Sequence, residues 1–215
     1  GTKNLLGTFR APTGVTIDTG FLRTLSSDDV RSGLGEMLKV HAIAGPAEFN
    51  KLSEEYDKIL EDDGGMLLAI HRSLLIKKQL IEVDEFDRGA RNVMNYGHSF
   101  GHAIEAATDY GIPHGIAVTI GMDMANYLAG SIGHSGMEPY NRMHPVLSLN
   151  YQSFAEFPIP PGPLISALKR DKKNSATHLR LVLPDDSGQI CMVNTQASPL
   201  LESAVQTFIE SHRGR

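Results

Sequence analysis

Apolar residues recur at helical spacing over most of the 215-residue chain. After Ser26-Ser27-Asp28-Asp29, which supplies N-cap candidates, Val30, Leu34, Met37, Leu38 and Val40 fall three or four apart and predict a helix over 28–43. Pro46 at a first turn, followed by Phe49, Leu52, Tyr56, Ile59 and Leu60, predicts a second over 46–61. Beyond Asp62-Asp63-Gly64-Gly65, the apolar set from Leu67 to Ile81 predicts a third over 65–82. A Gly-spaced, Ala-rich stretch predicts a helix over 92–108, and Gly111-Ile112-Pro113 separates it from another over 114–131. Shorter helices over 137–149 and 161–170 flank a Pro-rich connector, and a last one spans 199–212.

Period two is rarer. Leu179-Arg180-Leu181-Val182-Leu183 and Gln189-Ile190-Cys191-Met192-Val193, joined by Pro184-Asp185-Asp186-Ser187-Gly188, predict a hairpin. Val15-Thr16-Ile17 predicts a short strand within a loop-like opening segment. The pattern as a whole predicts a mainly α, multi-helix fold with a small β-hairpin.

Composition narrows the function classes. Hydrophobic residues make up 41%, which excludes global disorder. Uncharged stretches such as Gly111 to Met122 run about a dozen residues and are too short to cross a bilayer, so no membrane partner is expected. A net charge of −5 argues against nucleic-acid binding. The lone Cys191 excludes an internal disulfide framework and fits a reducing cytoplasm. The start, Gly1-Thr2-Lys3-Asn4, has neither an initiator Met nor a basic segment leading into an apolar one, so a piece of a longer protein is expected. Nine histidines are the oddity.

The densest chemistry is Asn95-Tyr96-Gly97-His98-Ser99-Phe100-Gly101-His102-Ala103-Ile104-Glu105, followed by His114-Gly115. On a helix His98 and His102 share a face, the spacing by which imidazoles share a metal or a substrate. Gly97 and Gly101 cost about 1 kcal/mol each in helix stability, which implies that something approaches closely. His114 offers a third nitrogen, and Glu36 or Glu105 a carboxylate, for an open zinc-like site. A lone helical histidine is ordinarily a polar surface residue, and the other six are read so or as core residues. The pair, its glycines and the third His favour a metal.

Cations gather in an otherwise acidic chain. Lys39, three after Glu36, lies on the same helix face, where an ordinary surface ion pair is the plainer reading. Arg91, Asn95 and His98 would line one strip if the helix begins early enough, and such a strip suits a polyhydroxylated anion. Lys77-Lys78 and the run Lys169-Arg170-Asp171-Lys172-Lys173 add basic clusters, although charge runs are usually solvated faces.

In this order the elements resemble the C-terminal domain of the 3-dehydroquinate synthase and sugar phosphate cyclase family. The resemblance rests on Lys3-Asn4-Leu5-Leu6-Gly7-Thr8-Phe9, on Ser32-Gly33-Leu34-Gly35-Glu36-Met37-Leu38-Lys39, and on Ile76-Lys77 with Asp84-Glu85, Gly89 and Arg91. It continues through the histidine stretch, His114-Gly115 with Ala117-Val118 and Gly121-Met122, and Asp171-Lys172-Lys173. It implies a single helical domain over 1–215 that carries zinc or cobalt and most of the substrate pocket, with Glu36, His98 and His114 as metal ligands. His102 then becomes a catalytic or substrate-contacting group alongside Lys39 and Lys77. Lys3, Asn4, Arg91, Asn95 and one of Lys172 or Lys173 would hold the phosphate, carboxylate and hydroxyls of a phosphorylated sugar acid or sugar phosphate. The family reaction is an NAD-dependent oxidation that acidifies a neighbouring C–H, loss of phosphate, return of the hydride and aldol closure of a ring. A homodimer of the full-length enzyme is implied as well.

Two departures stand out. The chain carries no Rossmann fingerprint, so the NAD-binding domain is expected outside it, upstream of Lys3-Asn4, and 1–215 alone is expected to be inactive. Ile116 replaces the family's usual Glu after His-Gly, and Asp87 stands where Glu is common. The first change leaves open a cyclase for another substrate, of the 2-deoxy-scyllo-inosose or valiolone type. A related metal- and NAD-dependent alcohol dehydrogenase would not need the cations, and a non-catalytic metal-binding or oligomerisation module would need none of the chemistry.

Overall fold

Ser26 and Asp29 cap each other. The Ser26 hydroxyl accepts from the Asp29 N–H at 3.1 Å while the Asp29 carboxylate accepts from the Ser26 N–H at 3.3 Å, and this box opens helix α1, Ser27–Ala44. The computed structural model describes residues 13–85, 89–170 and 178–213. Gly45, at φ 119°, ends α1 and Pro46 begins α2, Pro46–Glu54. Then follow α3, Tyr56–Glu61, and α4, Asp63–Val83, whose first turn is capped by the Asp62 carboxylate on Gly65 N–H at 2.7 Å.

The helix expected over 46–61 is therefore two. The buried face, Phe49, Leu52, Tyr56 and Ile59, runs straight across the break at Glu55. The side chains at the break have partners elsewhere: Glu55 pairs with Arg72 on α4, and the Tyr56 hydroxyl donates to Asn150 Oδ1 at 2.6 Å.

The helix expected over 92–108 is also shorter. A 3-10 turn covers Ala90–Asn95, and Gly97, left-handed at φ 74°, redirects the chain into α5, His98–Ala107. After a tight turn α6, His114–Ser131, runs through the centre of the molecule, buried along almost its whole length and packed by α1, α5 and α7, Glu138–Asn150. A β-carbon at Gly97 would lie 2.6 Å from the Val118 carbonyl oxygen and from Met122 Cγ, so the close approach that the glycines permit is that of α6. Gly35 and Gly115 serve the same end where α1 crosses α6.

Helix α8, Pro161–Arg170, packs on α5. The hairpin pairs β1, His178–Pro184, with β2, Ile190–Gln196, antiparallel from His178↔Gln196 to Pro184↔Ile190, and buries Leu179, Leu181 and Leu183. Helix α9, Pro199–Thr207, continues into a π turn, Phe208–His212. The strand expected at 15–17 is not formed: Val15 is exposed, the chain enters a 3-10 turn at Thr19–Thr24, and the hairpin is the sheet present among the described residues. A strand is stable only against a ladder partner, and three alternating residues carry no information about one. Among the described residues no helix is long and apolar enough to cross a membrane.

Candidate metal centre

Helices α1, α5 and α6 each bring one lone-pair atom to the same point. Glu36 Oε1, on α1, lies 3.5 Å from His98 Nε2 at the start of α5 and 3.6 Å from His114 Nε2 at the start of α6. Each imidazole has its other nitrogen engaged. His98 Nδ1 is 3.3 Å from the Tyr96 carbonyl oxygen, and His114 Nδ1 is 3.1 Å from Glu105 Oε1. Both partners are acceptors, so in the neutral rings Nδ1 carries the proton and Nε2 presents a lone pair. Among the described residues, nothing donates a hydrogen bond to the buried Glu36 oxygen at the centre.

Three acceptors gathered without a donor is an unfavourable arrangement unless a cation completes it. A tetrahedral ion with bonds of about 2.0–2.1 Å sets its ligand atoms about 3.3 Å apart, close to the spacings found. His102, one turn along α5, lies edge-on to His98 and stacks on His114, with ring centroids 5.4 Å and 5.7 Å away. The imidazoles of His98, His102 and His114 each offer a nitrogen within 4.8 Å of the others, so the geometry leaves His102 as ligand or neighbour. His102 is the exposed one and faces a hollow of about 430 Å³ lined also by Ser99, Ala106 and Arg170.

The electrostatics are mixed. Burial alone would raise the Glu36 carboxyl, but the charge and hydrogen bond of Lys39, with contributions from His98 and His114, hold it below its ordinary value. Lys39, buried on the same helix, donates to Glu36 Oε2 at 2.7 Å, and it is no surface pair. Burial lowers its ammonium, against the pull of Glu36 and with help from the charge of Lys77. Burial, then the charge of Lys39, brings His98 down to about 4, so its ring is neutral at pH 7.

Glu36 and Lys77 also line a cleft of about 230 Å³ between α1 and α4 whose other walls are largely apolar, among them Leu34, Met37 and Ile70. Arg91 and Asn95 sit on the 3-10 turn, not on α5, so the strip expected with His98 is broken at Gly97. The Arg91 guanidinium donates to the Glu85 carbonyl at 3.0 Å, and the Asn95 amide to the Asn92 carbonyl at 3.0 Å. Lys3, Asn4, Asp87, Lys172 and Lys173 lie outside the described residues. Ile116, where the family pattern has Glu, is buried in the core and fills apolar space.

Supporting residues escaped the sequence reading. Ser32 Oγ accepts from the Gly115 N–H at 2.9 Å, and Asn150 donates to Thr119 Oγ1 at 3.0 Å, which in turn donates to the Gly115 carbonyl at 2.7 Å. These pin the first turn of α6 beside His114. They are 83 and 31 residues apart in sequence, and no local signal announces them.

The fold is that of the sugar phosphate cyclases. A solved structure of ValA, a 2-epi-5-epi-valiolone synthase from Streptomyces hygroscopicus subsp. jinggangensis 5008 with NAD+ and Zn2+ bound, superposes with a TM-score of 0.77 at 27% identity, over 96% of this chain and 58% of that one. A 2-deoxy-scyllo-inosose synthase complexed with carbaglucose-6-phosphate, NAD+ and Co2+ shares the fold with a TM-score of 0.72 at 21% identity, over 94% of this chain and 58% of that one. Residues 33–174 match the family model described as 3-dehydroquinate synthase C-terminal, and the chain belongs to that family. It is 40% identical over 193 residues to a 3-dehydroquinate synthase of Dictyoglomus turgidum, covering 89% of this chain and 54% of that protein. It is 38% identical over 190 residues to one of Xanthomonas oryzae pv. oryzae, covering 84% and 51%. The chain thus spans about half the length of these relatives.

Proposed function

We propose that this chain is the metal- and substrate-binding portion of a 3-dehydroquinate synthase-type lyase of the shikimate pathway, which eliminates phosphate from a phosphorylated sugar acid and closes a ring. The observation that carries the reading is the convergence of Glu36 Oε1, His98 Nε2 and His114 Nε2 on one point with no donor among them. Identity of 40% to a relative named 3-dehydroquinate synthase supports that substrate over others.

In this reading Glu36, His98 and His114 hold Zn2+ or Co2+. The bound ion acts as a Lewis acid that polarises a substrate oxygen. Lys39 and Lys77 give the Glu36 end of the site positive charge, which favours an anionic substrate and stabilises negative charge as it develops. The exposed His102 imidazole stands beside the cluster, within reach of a substrate held there, and is the group placed to pass a proton to or from that substrate. Arg91, Asn95, Lys3, Asn4 and one of Lys172 or Lys173 bind the phosphate, carboxylate and hydroxyls, Arg91 by exchanging the Glu85 carbonyl for an anion. NAD is held by the part of the relatives' length that this chain does not span. The full-length enzyme is a cytoplasmic homodimer, a setting that suits the free thiol of Cys191.

Two measurements test this. Zinc titration of the 215-residue chain is expected to show one site that His98→Ala and His114→Ala each abolish; a chain without a site, or variants that keep it, would leave a non-catalytic module as the better reading. Full-length protein assayed with the seven-carbon dehydroquinate precursor and with hexose and heptulose phosphates is expected to turn over the first. Ile116 and the likeness to ValA favour the second reading, a cyclase of the valiolone or 2-deoxy-scyllo-inosose type, and preference for those phosphates would establish it.

A further inference from the structure

We infer that Glu105 is a positioning residue for His114, one that fixes the ring's tautomer and aims Nε2 at the metal position; this rests on the reading of Glu36, His98 and His114 as a metal centre. His114 needs such a hold. It is the first residue of α6 and its side chain is 39% exposed, so packing alone does not fix a ring that turns about two torsions. The Glu105 side chain, 12% exposed, places Oε1 3.1 Å from Nδ1. A carboxylate accepts only, so the bond keeps the proton on Nδ1 and the lone pair on Nε2, 3.6 Å from Glu36 Oε1.

The two imidazoles are held differently. His98 leans on a neutral backbone carbonyl and His114 on an anion, and an anionic partner makes the ring the stronger donor to a cation. The main chain of Glu105 contributes as well. Its carbonyl accepts from the Tyr110 N–H at 2.8 Å, closing the turn in which Asp109 and Tyr110 adopt φ 50° and 59° and the chain reverses to bring His114 back over α5. One residue thus ties both the ring and the loop that delivers it. With Ile116 buried in the core, the first turn of α6 supplies no carboxylate of its own for this task.

The experiment measures Zn2+ affinity of the 215-residue chain by chelator competition, and the His114 tautomer by 15N NMR of the metal-free chain, for wild type, Glu105→Gln, Glu105→Ala and His114→Ala. Glu105→Ala is expected to bind zinc about 10- to 100-fold more weakly and to give a mixture of His114 tautomers. Glu105→Gln, which keeps an acceptor oxygen without the charge, is expected to hold the Nδ1–H tautomer and to lose less affinity. Urea midpoints of the metal-free variants separate this from a role in folding, which would move the midpoint and leave the tautomer alone. Zinc uptake lost in His114→Ala but unchanged in both Glu105 variants, with the tautomer intact, would overturn this role alone. A wild type that takes up no zinc, or a His114→Ala variant that binds as well as wild type, would overturn the metal centre and this role with it.

Discussion

Lys39 Nζ lies 2.7 Å from one oxygen of Glu36, while the other oxygen of the same carboxylate faces two imidazole nitrogens. The carboxylate is therefore shared between a resident cation and the point where three lone pairs meet. The two members of the ion pair differ in burial, the Lys39 side chain being 4% exposed and that of Glu36 32%. Glu36→Gln leaves a buried ammonium without a counter-charge and is expected to destabilise the metal-free chain by roughly 2–3 kcal/mol. Lys39→Met leaves a carboxylate that water reaches, at roughly 1 kcal/mol. Urea unfolding in the presence of a chelator measures both, and the reverse order would contradict the assignment of Lys39 as the deeper partner.

A second histidine is buried where no metal is in question. His41 on α1 is fully inaccessible, with Nδ1 3.3 Å from the Glu48 carbonyl and Nε2 3.3 Å from Ser73 Oγ. Burial, and to a smaller extent the charge of Arg72, lower its pKa from the ordinary 6.5 against the opposing pull of the Glu48 bond and of Glu48 and Glu55. The unfolded chain then takes up a proton near 6.5 that the folded chain takes up only at lower pH. The stability is present above 6.5 and is lost as the pH falls through the folded value. His41→Asn keeps a donor for the Glu48 carbonyl and cannot titrate. It is expected to show a shallower loss of urea midpoint between about pH 6.5 and 5 than wild type; identical acid limbs would rule His41 out as their source.

How far the chain can be read without coordinates differs from element to element. Helix α6 was legible at both ends, because Pro113 and the glycines near 130 are local signals. The break at Glu55 was not, since the apolar period continues across it and its side-chain partners lie on α4 and α7. The pairing of His98 with His102 follows from a spacing of four, but the partner that completes the cluster, Glu36, is 62 positions before His98 and on another helix. Only tertiary packing joins them. The helix cost of Gly97 and Gly101 did signal a close approach; what approaches is the backbone of α6.

The turn before His114 holds two L-residues in left-handed conformation, Asp109 at φ 50° and Tyr110 at φ 59°. Each costs about 1–2 kcal/mol relative to glycine at the same angles. Tyr110 is 75% exposed, so its ring adds little packing. Tyr110→Gly removes the strain and gives back part of the gain as unfolded-state entropy, for an expected net stabilisation of about 0.5–1 kcal/mol. Differential scanning calorimetry of the metal-free chain checks this, and a lowered midpoint would mean that the tyrosine side chain holds the turn.

Gly97 is the opposite case, since nothing but hydrogen fits there. Its φ of 74° lies in the left-handed region, and a β-carbon would meet the Val118 carbonyl oxygen and Met122 Cγ at 2.6 Å each. Gly97→Ala therefore combines backbone strain of about 1–2 kcal/mol with overpacking of about 1–3 kcal/mol against a helix that cannot retreat, being buried along its length. A destabilisation of roughly 2–5 kcal/mol is expected from urea unfolding. The consequence reaches the site, because Gly97 immediately precedes His98 and α6 begins with His114: pushing α5 off α6 separates the two Nε2 atoms that flank Glu36. Zinc affinity is thus expected to fall together with stability in Gly97→Ala. Gly101→Ala, whose β-carbon would lie 3.1 Å from Val118 without a left-handed backbone, should lose less of both. Equal losses in the two variants would show that helix spacing alone, and not the turn at Gly97, sets the position of His98.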